Sequence, residues 1–162
     1  MSAQKVPNRR REGILSAVGA GAFLVLVGSM FIIHPNLIDQ IGNFFNDFKL
    51  VNVAGQSNIM LPAPASVALH VDVYSAAFQF SIAWGVFLVA MLVVRFALNS
   101  PTRKKAENIS DIIFWFGAAY LNQTWLINNA EWFEFWVMIV ILLGISLIVR
   151  AAYLAAAGSM RR

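Results

Sequence analysis

Cysteine is absent from the chain. That excludes disulfides, thiolate metal sites and haem attached through thioethers, so any structure outside a membrane must hold without covalent staples. Charge is the next scarcity. Only 12% of the 162 residues are Asp, Glu, Lys or Arg, against about 25% in soluble domains. A soluble domain of this size needs far more polar surface. Chemistry is missing too: no Gly-rich phosphate loop, HExxH sequence, nucleophile elbow or EF-hand loop is present. The reading is of a protein without catalytic residues, non-enzymatic rather than enzymatic.

What remains is apolar: 59% hydrophobic residues, gathered in long runs. Glu12 ends a polar start carrying Lys5, Arg9, Arg10 and Arg11. The uncharged run 13–33 follows and would rise about 31 Å as a helix, close to a hydrocarbon thickness of about 30 Å. A cleaved secretory signal is the rival reading. Signals, however, have apolar cores of about 7–15 residues and a small-residue cleavage site, whereas this run ends in Met30-Phe31-Ile32-Ile33-His34-Pro35. It is therefore read as a retained first span.

Residues 34–72 form the longest stretch between spans. His34-Pro35-Asn36 breaks the first helix, because proline lacks an amide hydrogen and restricts its predecessor. Leu37, Ile41, Phe44, Phe45 and Phe48 then recur at helical spacing, which predicts a short amphipathic helix over about 36–48, lying on the membrane surface or capping the bundle. Gly55, Pro62 and Pro64 punctuate the β-prone remainder and suggest a small ordered cap. A second span is expected over 73–94 and an aqueous basic loop over 95–110. Asn108 or Ser110 is expected to cap a third span over 111–128, with Asp111 in its first turn. A short outer loop at 129–132, a fourth span over 133–157 and a tail at 158–162 complete the chain.

The third segment is the weakest by hydropathy, and a re-entrant piece is the alternative. Charge favours a full span. With four crossings, eleven of the twelve Lys and Arg residues fall on one side and only Lys49 on the other, as the positive-inside rule requires. Three crossings would push Arg150, Arg161 and Arg162 outside. The expected fold is thus an all-α integral membrane protein of the cell (plasma) membrane. It is a four-transmembrane-helix bundle with cytoplasmic termini and a small outer cap that includes the amphipathic helix. Trp125, Trp132, Trp136 and Tyr74 are placed at its outer interface. The net charge of +4 reflects these topological signals. No basic stripe with interleaved aromatics exists, so nucleic acid is not an expected partner.

Four features could carry function. Gly13, Ala17, Gly21 and Gly28 lie within about an 80° arc at 100° per residue, a face that lets helices approach closely. It suits packing within the chain, a homo-oligomer or a larger membrane complex. His34, His70 and Asp72 fall near the outer ends of spans one and two. They could bind a metal or, through the two imidazoles, a haem, although helix-break histidines more often bond local backbone. Gln79, Asn122, Gln123 and Thr124 are polar groups in hydrocarbon, either interhelical glue or the lining of a polar path. Against transport, no ionisable residue falls near the middle of any span. Glu131 and Glu134 could gather cations at a pore mouth, but a solvated helix start explains them as well.

Four spans, inner termini, a larger first outer loop and a short second one resemble the layout of the claudins. The first outer loop lacks the cysteine pair and Trp-rich signature of that family, so the resemblance implies layout alone. The expected role is a non-catalytic structural or accessory subunit that packs in the lipid bilayer against itself or a larger assembly. No cofactor is required by it. The alternatives are a small oligomeric channel or transporter, and a haem- or metal-binding redox subunit.

Overall fold

The computed structural model describes residues 5–53 and 58–159, with residues 5–11 described by backbone alone. The ends of the expected polar tails (1–4 and 160–162) and Gly55 lie outside the described residues. The chain is mostly helical. Helix α1 spans Lys5–Ile33, α2 Leu37–Asn46, α3 Val71–Ala97, α4 Thr102–Leu121 and α5 Trp132–Ser159. A π-helical segment, Asn122–Asn128, continues α4, and a 3-10 turn, Val67–His70, leads into α3. Among the described residues, three helices are long and apolar enough to cross a membrane: Glu12–Ile33, Val67–Ala97 and Trp132–Ser159.

The long helices alternate in direction, as their paired side chains show. Between α1 and α3, Glu12 faces Arg95 at one end and His34 faces Gln79 at the other. Between α3 and α4, Leu88 meets Asn108 and Gly85 meets Phe116. Between α4 and α5, Glu107 meets Arg150, Ser110 meets Ser146, and Gly117 meets Leu142. In each pair, one number rises as the other falls. Helix α4 therefore lies between α3 and α5 along its length, while α1 leans on α3 alone of the long helices to any extent.

The turn from α3 to α4 is far shorter than the expected 95–110 loop. Asn99, at φ 50°, takes the left-handed conformation that asparagine tolerates. The Ser100 amide donates to the Arg95 carbonyl at 2.9 Å and the Asn99 amide to that of Phe96 at 3.1 Å, the paired bonds of a Schellman stop. Pro101 follows, and α4 begins at once with Thr102. Neither Asn108 nor Ser110 caps it, and Asp111 is well past its first turn. The basic cluster Arg103-Lys104-Lys105 belongs to a helix, which the single expected loop had obscured.

The cap between α1 and α3 is not wholly α-helical. Strand β1 (Phe48–Asn52) pairs antiparallel with β2 (Met60–Pro64), Phe48 opposite Pro64 and Asn52 opposite Met60. Both strands are edges, which is where the prolines of β2 are tolerated. Two strands alone are marginal, and this hairpin is held by packing. Phe48 packs edge-on against Trp132 at 5.7 Å, and Ala63 and Pro64 are buried. The amphipathic helix ends at Asn46, short of the expected 48, because Asp47 is its C-cap and Phe48 opens the strand. It caps the bundle: Leu37 and Ile41 meet Met30, Ala76 and Phe80, while Phe44 joins Tyr74, Leu126 and Phe135. Tyr74, expected at the interface, is instead buried in this aromatic core.

Candidate functional site

The polar groups at the cap end of the bundle form separate pairs. His70 Nε2–H donates to Asp47 Oδ2 at 3.0 Å, and the Ser66 amide donates to the same oxygen at 2.8 Å. The Ala65 amide bonds the Asp47 carbonyl at 3.0 Å. Asp47 thus closes α2, pins the chain returning from the hairpin and anchors the turn into α3. Its carboxyl is held below the usual carboxylate range, first by the His70 hydrogen bond and then by the Ser66 amide. His34 Nε2–H donates to Gln79 Oε1 at 3.2 Å, joining the ends of α1 and α3. Asp72 accepts from Gln40 Nε2 at 2.9 Å.

His34, His70 and Asp72 therefore each have a different partner, and no group of three His, Asp or Glu side chains that could hold a metal occurs among the described residues. Their place near one end of the bundle was legible, but not this division of labour. Asn43, Gln40, His70 and Asp72 do line a cavity of about 250 Å³ on the cap.

Of the polar residues nominated in spans two and three, Gln79 serves the helix end just described. Gln123 Nε2 donates to Asn128 Oδ1 at 3.2 Å, a five-residue spacing that the wider π-helical turn brings onto one face. Thr124 is half-buried. Asn122 is 6% exposed, and its buried Oδ1 has no partner; the same holds for the hydroxyl of Tyr74, at 3%. A buried polar atom without a partner is costly, and π-helical turns favour functional positions. Leu126, the other buried residue of the segment, packs on Tyr74.

Buried bonds between helices are also made by residues outside that set. Asn108 Nδ2 donates to the Leu88 carbonyl at 2.7 Å, and Ser110 Oγ to the Ser146 carbonyl at 2.8 Å. Both side chains are buried. Read along the sequence, they passed for helix caps because they follow a basic, polar stretch. Ala106 and Ser110, four apart and both buried, form the small-residue pair that could have identified this face.

The end of the bundle where α3 turns into α4 carries a charge lattice. Glu107 Oε2 accepts from Lys104 Nζ at 2.8 Å, and its Oε1 accepts from Arg150 at 2.9 Å and Arg103 at 3.3 Å. Its carboxyl is lowered, first by the Lys104 hydrogen bond. Arg95 donates to the Lys104 carbonyl at 3.1 Å and sits 3.9 Å from Glu12. Counting only positive charges for topology missed both acids, although Glu107 stands three and four residues beyond its lysine and arginine, a legible helical pairing.

The small-residue face of α1 points away from the rest of the chain. Gly13, Ala17, Gly21 and Gly28 are exposed, and a Cβ added at any of the three glycines would meet no atom within 4 Å. Packing within the chain, one of the expected uses of this face, is not what it does. The close approaches fall at unnominated glycines. A Cβ on Gly85 would sit 3.1 Å from the Phe116 ring, and one on Gly117 only 2.5 Å from a Leu142 methyl. Glu131 and Glu134 stand at the start of α5, where the Glu131 carbonyl accepts from the Phe135 amide. Comparison with known proteins finds no matching family model, no matching curated protein and no matching solved structure.

Proposed function

We propose that this chain is a four-span protein of the plasma membrane, with both termini in the cytoplasm, that serves as a non-catalytic accessory subunit and docks through α1. The observation that carries the reading is the free small-residue face of α1. Inside lipid, helices associate by van der Waals packing at such faces, since the bilayer supplies no hydrophobic drive. A face of this kind, unused within the chain, is suited to a helix from another chain.

The placement of α4 supports the fourth crossing. It runs beside α3 and α5 from the Arg95–Lys104 contact to the Leu126–Tyr74 contact, so it occupies the depths they occupy. Its lower hydropathy follows from its position, because a helix flanked by protein has little lipid to satisfy. The Lys and Arg side chains of the described inner turns gather at one end, with Asp39, Asp47, Asp72, Glu131 and Glu134 at the other, which supports a cytoplasmic basic end.

The test exploits the absence of cysteine. Gly21→Cys and Val140→Cys, the latter 67% exposed on α5, are each labelled with a benzophenone and irradiated in native membranes. Crosslinking from position 21 and not from 140 is expected. A homodimer identifies a second copy, and an adduct with another chain identifies a larger assembly. Monomer alone from position 21 overturns the reading.

A further inference from the structure

A cavity of about 350 Å³ opens between α1, α3 and α4 towards the inner end. Its two halves differ in chemistry. Phe23, Trp84 and Phe87 form an aromatic half, with Phe23 edge-on to Trp84 at 5.4 Å and Trp84 stacked on Phe87 at 5.1 Å. Arg95, Asp111 and Asn108 form a polar half. The α1 and α3 walls belong to segments apolar enough to cross a membrane.

The polar half is incompletely satisfied. The Arg95 side chain is only 13% exposed, and its buried Nε has no partner. Its NH1 is held by the Lys104 carbonyl, and Glu12 is 3.9 Å away, beyond a good hydrogen bond. Asn108 spends its Nδ2 on Leu88, and the Asp111 carboxyl makes no hydrogen bond among the described residues. A guanidinium with Glu12 3.9 Å away and Asp111 lining the same cavity complements a head that carries both an oxyanion and an ammonium. The oxyanion would accept from Arg95 Nε, and the ammonium would donate to Asp111. A buried arginine favours a phosphate oxygen by its fixed fork of donors.

We propose that this cavity is a binding site for an aminophospholipid of the inner leaflet. Its phosphate lies on Arg95, its primary ammonium on Asp111 and its glycerol and upper acyl carbons along Phe23, Trp84 and Phe87. The volume admits a headgroup and its backbone, with the chains continuing into the surrounding bilayer. The site uses this chain alone and does not depend on a partner at α1.

Native mass spectrometry of the detergent-purified protein, titrated with phosphatidylethanolamine, phosphatidylcholine or phosphatidylglycerol, tests it. Phosphatidylethanolamine should be retained about tenfold better than the other two, the equivalent of one charge-assisted hydrogen bond. Phosphatidylcholine has no N–H to give Asp111, and phosphatidylglycerol has no ammonium. Asp111→Asn should bring the three lipids level while the protein stays folded, and Arg95→Gln should weaken all three. Equal retention by the unaltered protein, or preference unchanged in Asp111→Asn, overturns the proposal. Binding of free phosphoethanolamine as tight as that of the lipid would also overturn it, by making the ligand a soluble zwitterion.

Discussion

Helices α1 and α4 invert the usual equation of apolar with buried. Helix α1 is a clear membrane segment by composition, yet only Leu15 and Met30 of its described side chains are buried. Helix α4 fails the same compositional test, yet Ala106, Asn108, Ser110 and Ala119 are buried between its neighbours. In a bilayer, hydropathy reports contact with lipid. A helix surrounded by protein is released from that demand and can spend its positions on small and polar side chains that approach closely and bond across. The glycines tell the same story: those of α1 face open space, while Gly117 of α4 is filled by Leu142.

The largest effect that would sharpen this contrast is at Gly117. Gly117→Ala places a Cβ where the Leu142 methyls now sit, and overpacking of this kind costs about 1–3 kcal/mol. Reversible unfolding in mixed micelles measures it. A loss no larger than that of Gly21→Ala would mean that α4 yields as freely as α1, and the contrast would fail. Next comes Asn108→Leu, which removes the bond to the Leu88 carbonyl and should cost about 0.6–1.7 kcal/mol by the range found for interhelical bonds in membranes. Ser16→Ala on α1 should change nothing measurable by the same assay.

Why some of this was legible and some was not follows from the same physics. The runs 13–33, 73–94 and 133–157 stood out because lipid-facing surface must be apolar residue by residue. The amphipathic helix stood out because Leu37, Ile41 and Phe44 share a face that the bundle end covers. Asp47 could not be found, since its three partners, Ala65, Ser66 and His70, come from the far side of a hairpin. The Asn99 stop needed a backbone conformation rather than a composition. Gly21 and Gly117 look alike in sequence, and only the neighbouring helix distinguishes them. A stripe of small residues says that close approach is allowed without naming the helix that makes it.

The charge lattice offers a smaller test. Glu107→Gln removes the carboxylate that joins α4 to Arg150 of α5, and because the site is partly exposed the cost should be about 1 kcal/mol or less. Its folded carboxyl is lowered by Lys104, with Arg150 and Arg103 adding to that. A lowered carboxyl contributes stability that is complete above the ordinary carboxylate range and is lost as pH falls through the folded value. The gap between the two proteins should therefore be constant near neutral pH and close on acidification. Glu12→Gln, whose partner Arg95 is 3.9 Å away, should open a smaller gap. A larger one would place the principal tie of that end on α1 and reverse the comparison.

The smallest expected effect is at Gly21. Gly21→Ala adds a Cβ that meets nothing within 4 Å, so unfolding in micelles should move by no more than about 0.5 kcal/mol, as for surface changes that break no contact. Gly21→Leu should behave alike in that assay, because its longer side chain also leaves the α3 side untouched. The two variants separate only where another helix is present: alanine leaves room for close approach, and leucine removes it. Crosslinking in native membranes should then persist in Gly21→Ala combined with a label at Gly28→Cys, and fall away in Gly21→Leu combined with the same label. Loss of stability in Gly21→Leu without loss of crosslinking would mean that the face is used inside the chain, and α1 would join α4 as a packed helix.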